Sequence, residues 1–89
     1  MDIQSAPHGI NVVLETSDGR VVIGRFDSAT PFTAVLHDCD VHALAAGEDA
    51  ETYIRTTATY GVAVNQRDAE VPCRSIRRVR LLGEIAKLA

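Results

Sequence analysis

A run of alternating apolar and polar residues from Val12 to Asp38 constrains the fold of this chain more than any other feature. The first break in the run is Ser17-Asp18-Gly19, and Asp-Gly between two alternating segments is the strongest short signal for a β-hairpin. A second break, Ala29-Thr30-Pro31, separates the second segment from a third. The run therefore predicts three β-strands in a row.

Gly24 lies inside the second predicted strand, which extends from Arg20 to Asp27. A glycine within a strand usually marks a sharp bend or the close approach of another backbone. A long strand that bends at a glycine is one means of closing a barrel. We therefore expect a small, strongly bent sheet.

The remainder of the chain predicts further short strands. The segment 43–68 contains an acidic loop around Gly47 and a β-prone run from Thr52 to Thr57, and we interpret it as an extra hairpin. Two more strands are expected at about 69–74 and 77–82. Five to seven short strands with almost no helix are typical of a small all-β barrel or sandwich.

Length and charge narrow the class of protein. The 89 residues predict a single domain, 1–89, in which Pro7 and Gly9 make residues 1–9 a flexible lead-in. The net charge of −3 gives no bulk attraction for nucleic acid or for an anionic membrane, although it is compatible with a local basic patch. With two Phe, two Tyr and no Trp, the core must be mostly aliphatic, and so thin a core favours oligomers.

The sequence also bears on the compartment. No apolar run approaches the roughly 18 residues that a membrane span needs. The N-terminus, MDIQSAPHG, lacks the basic and apolar regions of a secretion signal, so we expect a cytoplasmic protein without a membrane partner. In a reducing cytoplasm, Cys39 and Cys73 are expected to be free thiols.

The order of these elements resembles the Sm and Sm-like (LSm) protein family. Its first motif comprises an apolar strand, a turn that ends in Gly, an apolar step to a second Gly, a large apolar residue and a strand that ends in Asp. The residues in those places here are Leu14, Gly19, Val22, Gly24, Phe26, Ala34, Leu36 and Asp38. The second motif, a short strand with Arg, a tight turn and an apolar closing strand, is matched by Cys73-Arg74-Ser75-Ile76, Val79 and Leu81. The chain departs from it in lacking the Gly that follows the Arg.

The resemblance implies an SH3-like barrel built from a strongly bent antiparallel sheet of about five strands; other SH3-like barrels are the alternative. It also implies homo-oligomeric rings of five to seven subunits, in which the fourth strand of one copy pairs with the fifth strand of the next. Such pairing would satisfy the free backbone groups of two sheet edges. It requires that Pro72, which has no N–H, face away from the partner strand. The implied interface residues are Val71, Cys73, Val79 and Leu81.

The resemblance further implies single-stranded RNA as a partner near the ring pore. Arg74 stands in the place of the family's base-contacting Arg, and Phe32 and Thr33 stand in the loop that holds a base. Thr30 replaces the acid of that loop, and Thr33 most nearly replaces its Asn. A hydroxyl makes one hydrogen bond where an amide makes two, so uridine specificity should be weakened. The alternative is that Phe32 only plugs the end of the barrel.

The one basic cluster is formed by Arg74, Arg77, Arg78 and Arg80. Guanidinium groups stack on bases and contact phosphates, so Arg78 joins Arg74 as a candidate RNA-binding residue. The alternative is a solvated strand face, or salt bridges to Glu70, Glu84 or a neighbouring subunit.

The sequence gives little support for a metal site or a catalytic site. His37, Cys39 and His42 resemble a metal cluster, but strand alternation would place His37 and Cys39 on one face and His42 on the other. The sequence contains no nucleophile elbow, no phosphate loop and no pair of carboxylates at a recognisable catalytic spacing, so we expect no enzyme, metal or cofactor. The sequence thus favours a ring-forming Sm-like protein that binds short single-stranded RNA. The alternative is an oligomeric scaffold or protein-interaction module without nucleic acid.

Overall fold

Five antiparallel strands and one α-helix make up the computed structural model, which describes residues Met1–Ala89. The elements are β1 (Asn11–Thr16), β2 (Arg20–Ala29), β3 (Thr33–Ala43), α1 (Ala50–Tyr60), β4 (Gln66–Pro72) and β5 (Ile76–Leu81). Single 3₁₀ turns occur at Ile3–Ser5, Cys73–Ser75 and Leu82–Glu84. The strand order is β4-β3-β2-β1-β5, so β4 and β5 are the two edges. They do not pair with each other, and the sheet is not closed.

The three predicted strands at the start of the sheet are confirmed. The turn between β1 and β2 falls at the Asp-Gly signal, where Gly19 has a φ of +82° that glycine adopts without steric cost. The Gly19 N–H donates to the carbonyl oxygen of Thr16 at 3.3 Å, and the Thr16 hydroxyl accepts from the N–H of Arg20 at 3.1 Å. These bonds fix the register of the hairpin, in which Val12 lies opposite Gly24.

Of the two interpretations of Gly24, a sharp bend or the close approach of another backbone, the structure shows the close approach. A Cβ atom at this position would lie 2.7 Å from the Sγ atom of Cys39 and 3.0 Å from the carbonyl oxygen of His37. The register between β2 and β3 shifts here, and Asp38 adopts a left-handed φ of +50°. Arg25 holds this irregular residue through an ion pair of 2.7 Å between Nη1 and the Asp38 Oδ2 atom.

The extra hairpin predicted at 43–68 is wrong, because the middle of this segment is α1. Asp49 caps the helix by accepting from the backbone N–H of Thr52 at 3.3 Å and from its hydroxyl at 2.6 Å. Ile54 and Thr57 are buried three residues apart, as on one helix face. The helix ends at Gly61, whose φ is +96° and whose N–H donates to Thr57 at 2.8 Å. Capping and burial therefore override the β-propensity of the Thr, Tyr and Ile residues.

Polar contacts hold α1 against β3. Asp40 is 3% exposed, and its carboxylate accepts from the Tyr53 hydroxyl and from Asn65 Nδ2, the latter at 3.3 Å. Burial, followed by the hydrogen bond to Asp40, raises the pKa of Tyr53 to about 12. The Tyr53 ring stacks on His42 with 3.9 Å between ring centroids, and His42 contacts Glu48 at 2.9 Å. Hydrogen bonds to the Ala45 N–H and to His42 lower the pKa of Glu48.

The sheet buries both of its faces. The main core cluster has eleven members: Ile3, Val12, Leu14, Val22, Phe26, Ala34, Leu36, Cys39, Ala69, Val71 and Val79. The second lies under α1 and the C-terminal segment: Val13, Val21, Ile23, Ile54 and Ile85. Ile3 brings the N-terminal 3₁₀ turn into the core, within the segment predicted as a lead-in.

Both thiols are free, and burial raises the pKa of Cys39 to about 11. No helix combines the length and the apolar character that crossing a bilayer requires.

Candidate nucleic-acid interface

The β2–β3 loop and the 3₁₀ turn after β4 lie side by side at one end of the sheet. Thr33 is opposite Pro72 in the ladder, and the Cys73 N–H donates to the carbonyl oxygen of Phe32 at 2.8 Å. This pairing brings the predicted residues of the loop, Thr30, Phe32 and Thr33, next to Arg74. The structure thus places four of the five predicted RNA-binding residues in one patch, which we call the loop–turn patch.

Thr30 shapes the loop rather than facing outward as a free hydroxyl. Its Oγ1 atom accepts from the backbone N–H groups of Phe32 and Thr33, at 3.1 Å each. Its own N–H donates to the carbonyl oxygen of Thr33 at 2.9 Å. The tight loop leaves the Phe32 side chain 80% exposed, so this ring does not plug the end of the sheet.

A cavity of about 280 Å³ lies between the loop and the turn, lined by Pro31, Phe32, Pro72 and Arg74. Arg74 is exposed and has no carboxylate within 4.0 Å. An exposed aromatic ring and an unneutralised guanidinium border the same space. That pair can stack on a flat ring and hold a negative charge beside it.

Two residues that the sequence analysis did not select lie beside this patch. Gln4 donates through Nε2 to the carbonyl oxygen of Thr30 at 3.2 Å and to the Cys73 Sγ atom at 3.7 Å. Arg77 is exposed, has no carboxylate within 4.0 Å, and lines a second cavity of about 190 Å³ with Gln4 and Cys73. Nothing in the local sequence marks Gln4, whereas Arg77 belonged to the basic cluster.

Arg78 does not line the cavity beside Phe32. It lines the second cavity, and its Nε atom is 3.9 Å from the Glu15 Oε2 atom. Arg80 is tied more firmly, with Nη2 2.8 Å from Glu51 and 3.1 Å from Glu15. The hydrogen bond to Glu51 raises the pKa of Arg80, and the same bond lowers the pKa of Glu51. Two members of the basic cluster, Arg78 and Arg80, thus form salt bridges as the alternative held, but the partners are Glu15 and Glu51 and not Glu70 or Glu84.

The predicted interface residues mostly serve the chain's own core. Val71 and Val79 are 2% and 7% exposed and belong to the main cluster, while Cys73 and Leu81 are half-buried against it. The Val71 and Val79 side chains are therefore not free for a second copy, whereas those of Cys73 and Leu81 are partly exposed. What the two edge strands offer to a partner is their backbone.

Pairing with a second copy at the outer edge of β4 requires Pro72 to face away from the partner strand, and Pro72 does not. The Cys73 N–H points inward to β3, and alternate residues of an antiparallel strand point to opposite sides, so Glu70 and Pro72 face outward. Pro72 thus lacks a donor at the outer edge, and its carbonyl oxygen accepts from the Ser75 hydroxyl at 2.8 Å. The Asp68 carbonyl oxygen likewise accepts from Gln66 at 2.8 Å. Glu70, between Asp68 and Pro72, is therefore the residue of the outer edge whose backbone N–H and C=O groups are left for a partner strand.

His37, Cys39 and His42 do not converge. The bulge at Asp38 turns Cys39 into the core and leaves His37 partly exposed, so the expectation that these two share a face is wrong. No group of three or more His, Cys, Asp or Glu side chains is placed to hold a metal ion.

Two comparisons of the sequence with known proteins found no relative of this chain. Neither the scan against protein-family models nor the search of curated proteins returned a significant match for the chain.

Proposed function

We propose that this chain is a divergent Sm-like protein that assembles into rings and binds a short single-stranded RNA segment at the loop–turn patch. The observation that carries the proposal is the position of Phe32 and Arg74, which border one cavity from two distant parts of the sequence. The open antiparallel sheet, with β4 and β5 at its edges, supports an Sm-like rather than a sealed barrel.

Phe32 supplies a face on which a base stacks, and stacking of this kind is tolerant of sequence because every base has a π-face. Arg74 covers the base or contacts the adjacent phosphate. Arg77 continues the positive charge along the second cavity and contacts the next phosphate. The Thr30 hydroxyl is engaged by the loop, which leaves the Thr33 hydroxyl to bond a base edge. Discrimination in favour of uridine is accordingly weak.

The test is fluorescence anisotropy with labelled uridine-rich and adenine-rich oligonucleotides. We expect both oligomers to bind, with affinity that falls as salt is added because phosphate contacts release counterions. Phe32→Ala should weaken binding by about 1–3 kcal/mol, the usual contribution of one base–aromatic stack. Arg74→Ala and Arg77→Ala should each weaken binding and reduce the salt dependence.

Arg67→Ala is the matched control. Arg67 is also exposed and without a carboxylate within 4.0 Å, but it lies at the other end of β4, and its loss should leave affinity nearly unchanged. Binding that is equally weakened by Arg67→Ala and Arg74→Ala would show nonspecific attraction and contradict the proposed patch.

A scaffold role without nucleic acid is the second candidate. The ion pairs of Arg80 with Glu15 and Glu51 favour it, because they neutralise part of the basic cluster in a chain of net charge −3. Under this alternative the assembled protein shows no binding to either oligonucleotide at low salt.

A further inference from the structure

Both ring nitrogens of His37 contact carboxylates. Nε2 lies 2.8 Å from Oδ2 of Asp27, and Nδ1 lies 2.7 Å from Oδ1 of Asp68. An ionised carboxylate only accepts hydrogen bonds, so both nitrogens must carry a proton for both bonds to form. Asp27 belongs to β2, His37 to β3 and Asp68 to β4, and the imidazolium form therefore ties three neighbouring strands together.

The surroundings favour the charged ring. The charged or titratable groups around it are His8 on the N-terminal segment, Arg25 and Asp27 on β2, Asp38 on β3, and Arg67 and Asp68 on β4. Arg25 lies opposite His37 but is engaged by Asp38 at 2.7 Å, and His8 donates to the Asp27 backbone carbonyl at 2.8 Å. The hydrogen bonds to Asp27 and then Asp68 raise the pKa of His37 above its ordinary value of 6.5.

We propose that His37 is a proton-dependent clasp that holds the edge strand β4 against β3. When the ring loses a proton, one nitrogen presents a lone pair to a carboxylate, and one of the two contacts becomes repulsive. The strand then keeps its backbone ladder, but the single remaining ring N–H can bond only one of Asp27 and Asp68, so the side-chain link that runs from β4 through His37 to β2 is broken. Because protonation is favoured in the fold, the clasp stabilises β4 fully below the ordinary pKa of histidine and is lost as the pH rises through the raised value. The clasp is independent of the proposed RNA binding.

NMR tests the clasp directly. The ring signals of His37 are followed through a pH titration of the wild type and of Asp68→Asn, and hydrogen-exchange protection of the Ala69 and Val71 amides is measured over the same range. We expect the wild-type midpoint to lie above 6.5 and to move down in Asp68→Asn. The protection factors, corrected for intrinsic exchange, should fall as His37 deprotonates.

Two variants separate the clasp from a general effect of pH. His37→Gln removes the titrating ring between Asp27 and Asp68, so its β4 protection should not vary with pH over this range. His42→Gln removes the histidine of β3 that contacts Glu48 instead, and it should keep the wild-type pH dependence. A wild-type midpoint at or below 6.5, or the same pH trend in His37→Gln as in the wild type, would overturn the proposal.

Discussion

At Gly24 the backbone of β2 passes so close to β3 that no side chain has room. A Cβ atom there would meet the Cys39 Sγ atom at 2.7 Å and a backbone oxygen at 3.0 Å, and the backbone cannot swing aside. Gly24→Ala should therefore lower the free energy of unfolding by about 1–3 kcal/mol, as overpacking of a core does. Chemical denaturation measures this change. Gly83→Ala is the control, because nothing lies within 4 Å of that position, and equal losses in the two variants would contradict the close approach.

Single residues could be predicted from the sequence where one local physical cause decides their conformation. The glycine rule located the contact at Gly24, and the Asp-Gly rule located the hairpin at Gly19. Prediction failed at Asp38, because the bulge there depends on how β2 and β3 meet and leaves no mark in the alternation. That bulge is why Cys39 is buried while His37 remains at the surface.

On the scale of elements, one buried polar contact contributes to the docking of α1. The Tyr53 hydroxyl donates to Asp40, which is 3% exposed. Tyr53→Phe keeps the ring and its stack on His42 but leaves the buried carboxylate short of a donor, which should cost about 1–3 kcal/mol of stability. Tyr60→Phe on the same helix is the control, since Tyr60 is 79% exposed. Thermal and denaturant unfolding compare the two variants, and a Tyr53→Phe protein as stable as Tyr60→Phe would contradict this account of docking.

The strands were found from the sequence and α1 was missed, and the reason lies in the signal that each kind of element leaves in the sequence. Along a strand, the alternation of apolar and polar residues shows directly which side chains face the core. The helix contains Thr, Tyr and Ile residues that favour strands, and it forms because its buried face covers the second core cluster and because Asp49 caps it. The cap, the spacing of Ile54 and Thr57, and Gly61 at the end were signals present in the sequence. Because the helix was missed, Glu51 was not considered as the partner of Arg80.

For the whole molecule, the two sheet edges decide what the chain can assemble into. β4 carries Asp68 and Glu70 beside Arg67, and β5 carries Arg77, Arg78 and Arg80, so β4 is net negative and β5 is net positive. Head-to-tail contact between such edges gives a closed ring where the rotation between copies closes and a filament where it does not, and the proposed ring is the first case. Because Pro72 has no N–H and the Asp68 carbonyl oxygen is already bonded, the contact on β4 should centre on Glu70.

The most direct test of this account is size-exclusion chromatography with light scattering on the purified chain, which has a mass of 9.6 kDa. The account predicts a single species of about five to seven chain masses, the ring size that the resemblance implies. Charge reversal by Glu70→Arg should shift that species toward the monomer, whereas Glu84→Arg, outside the edge strands, should not. A monomer at all concentrations would contradict the ring and remove the pore at which RNA is proposed to bind.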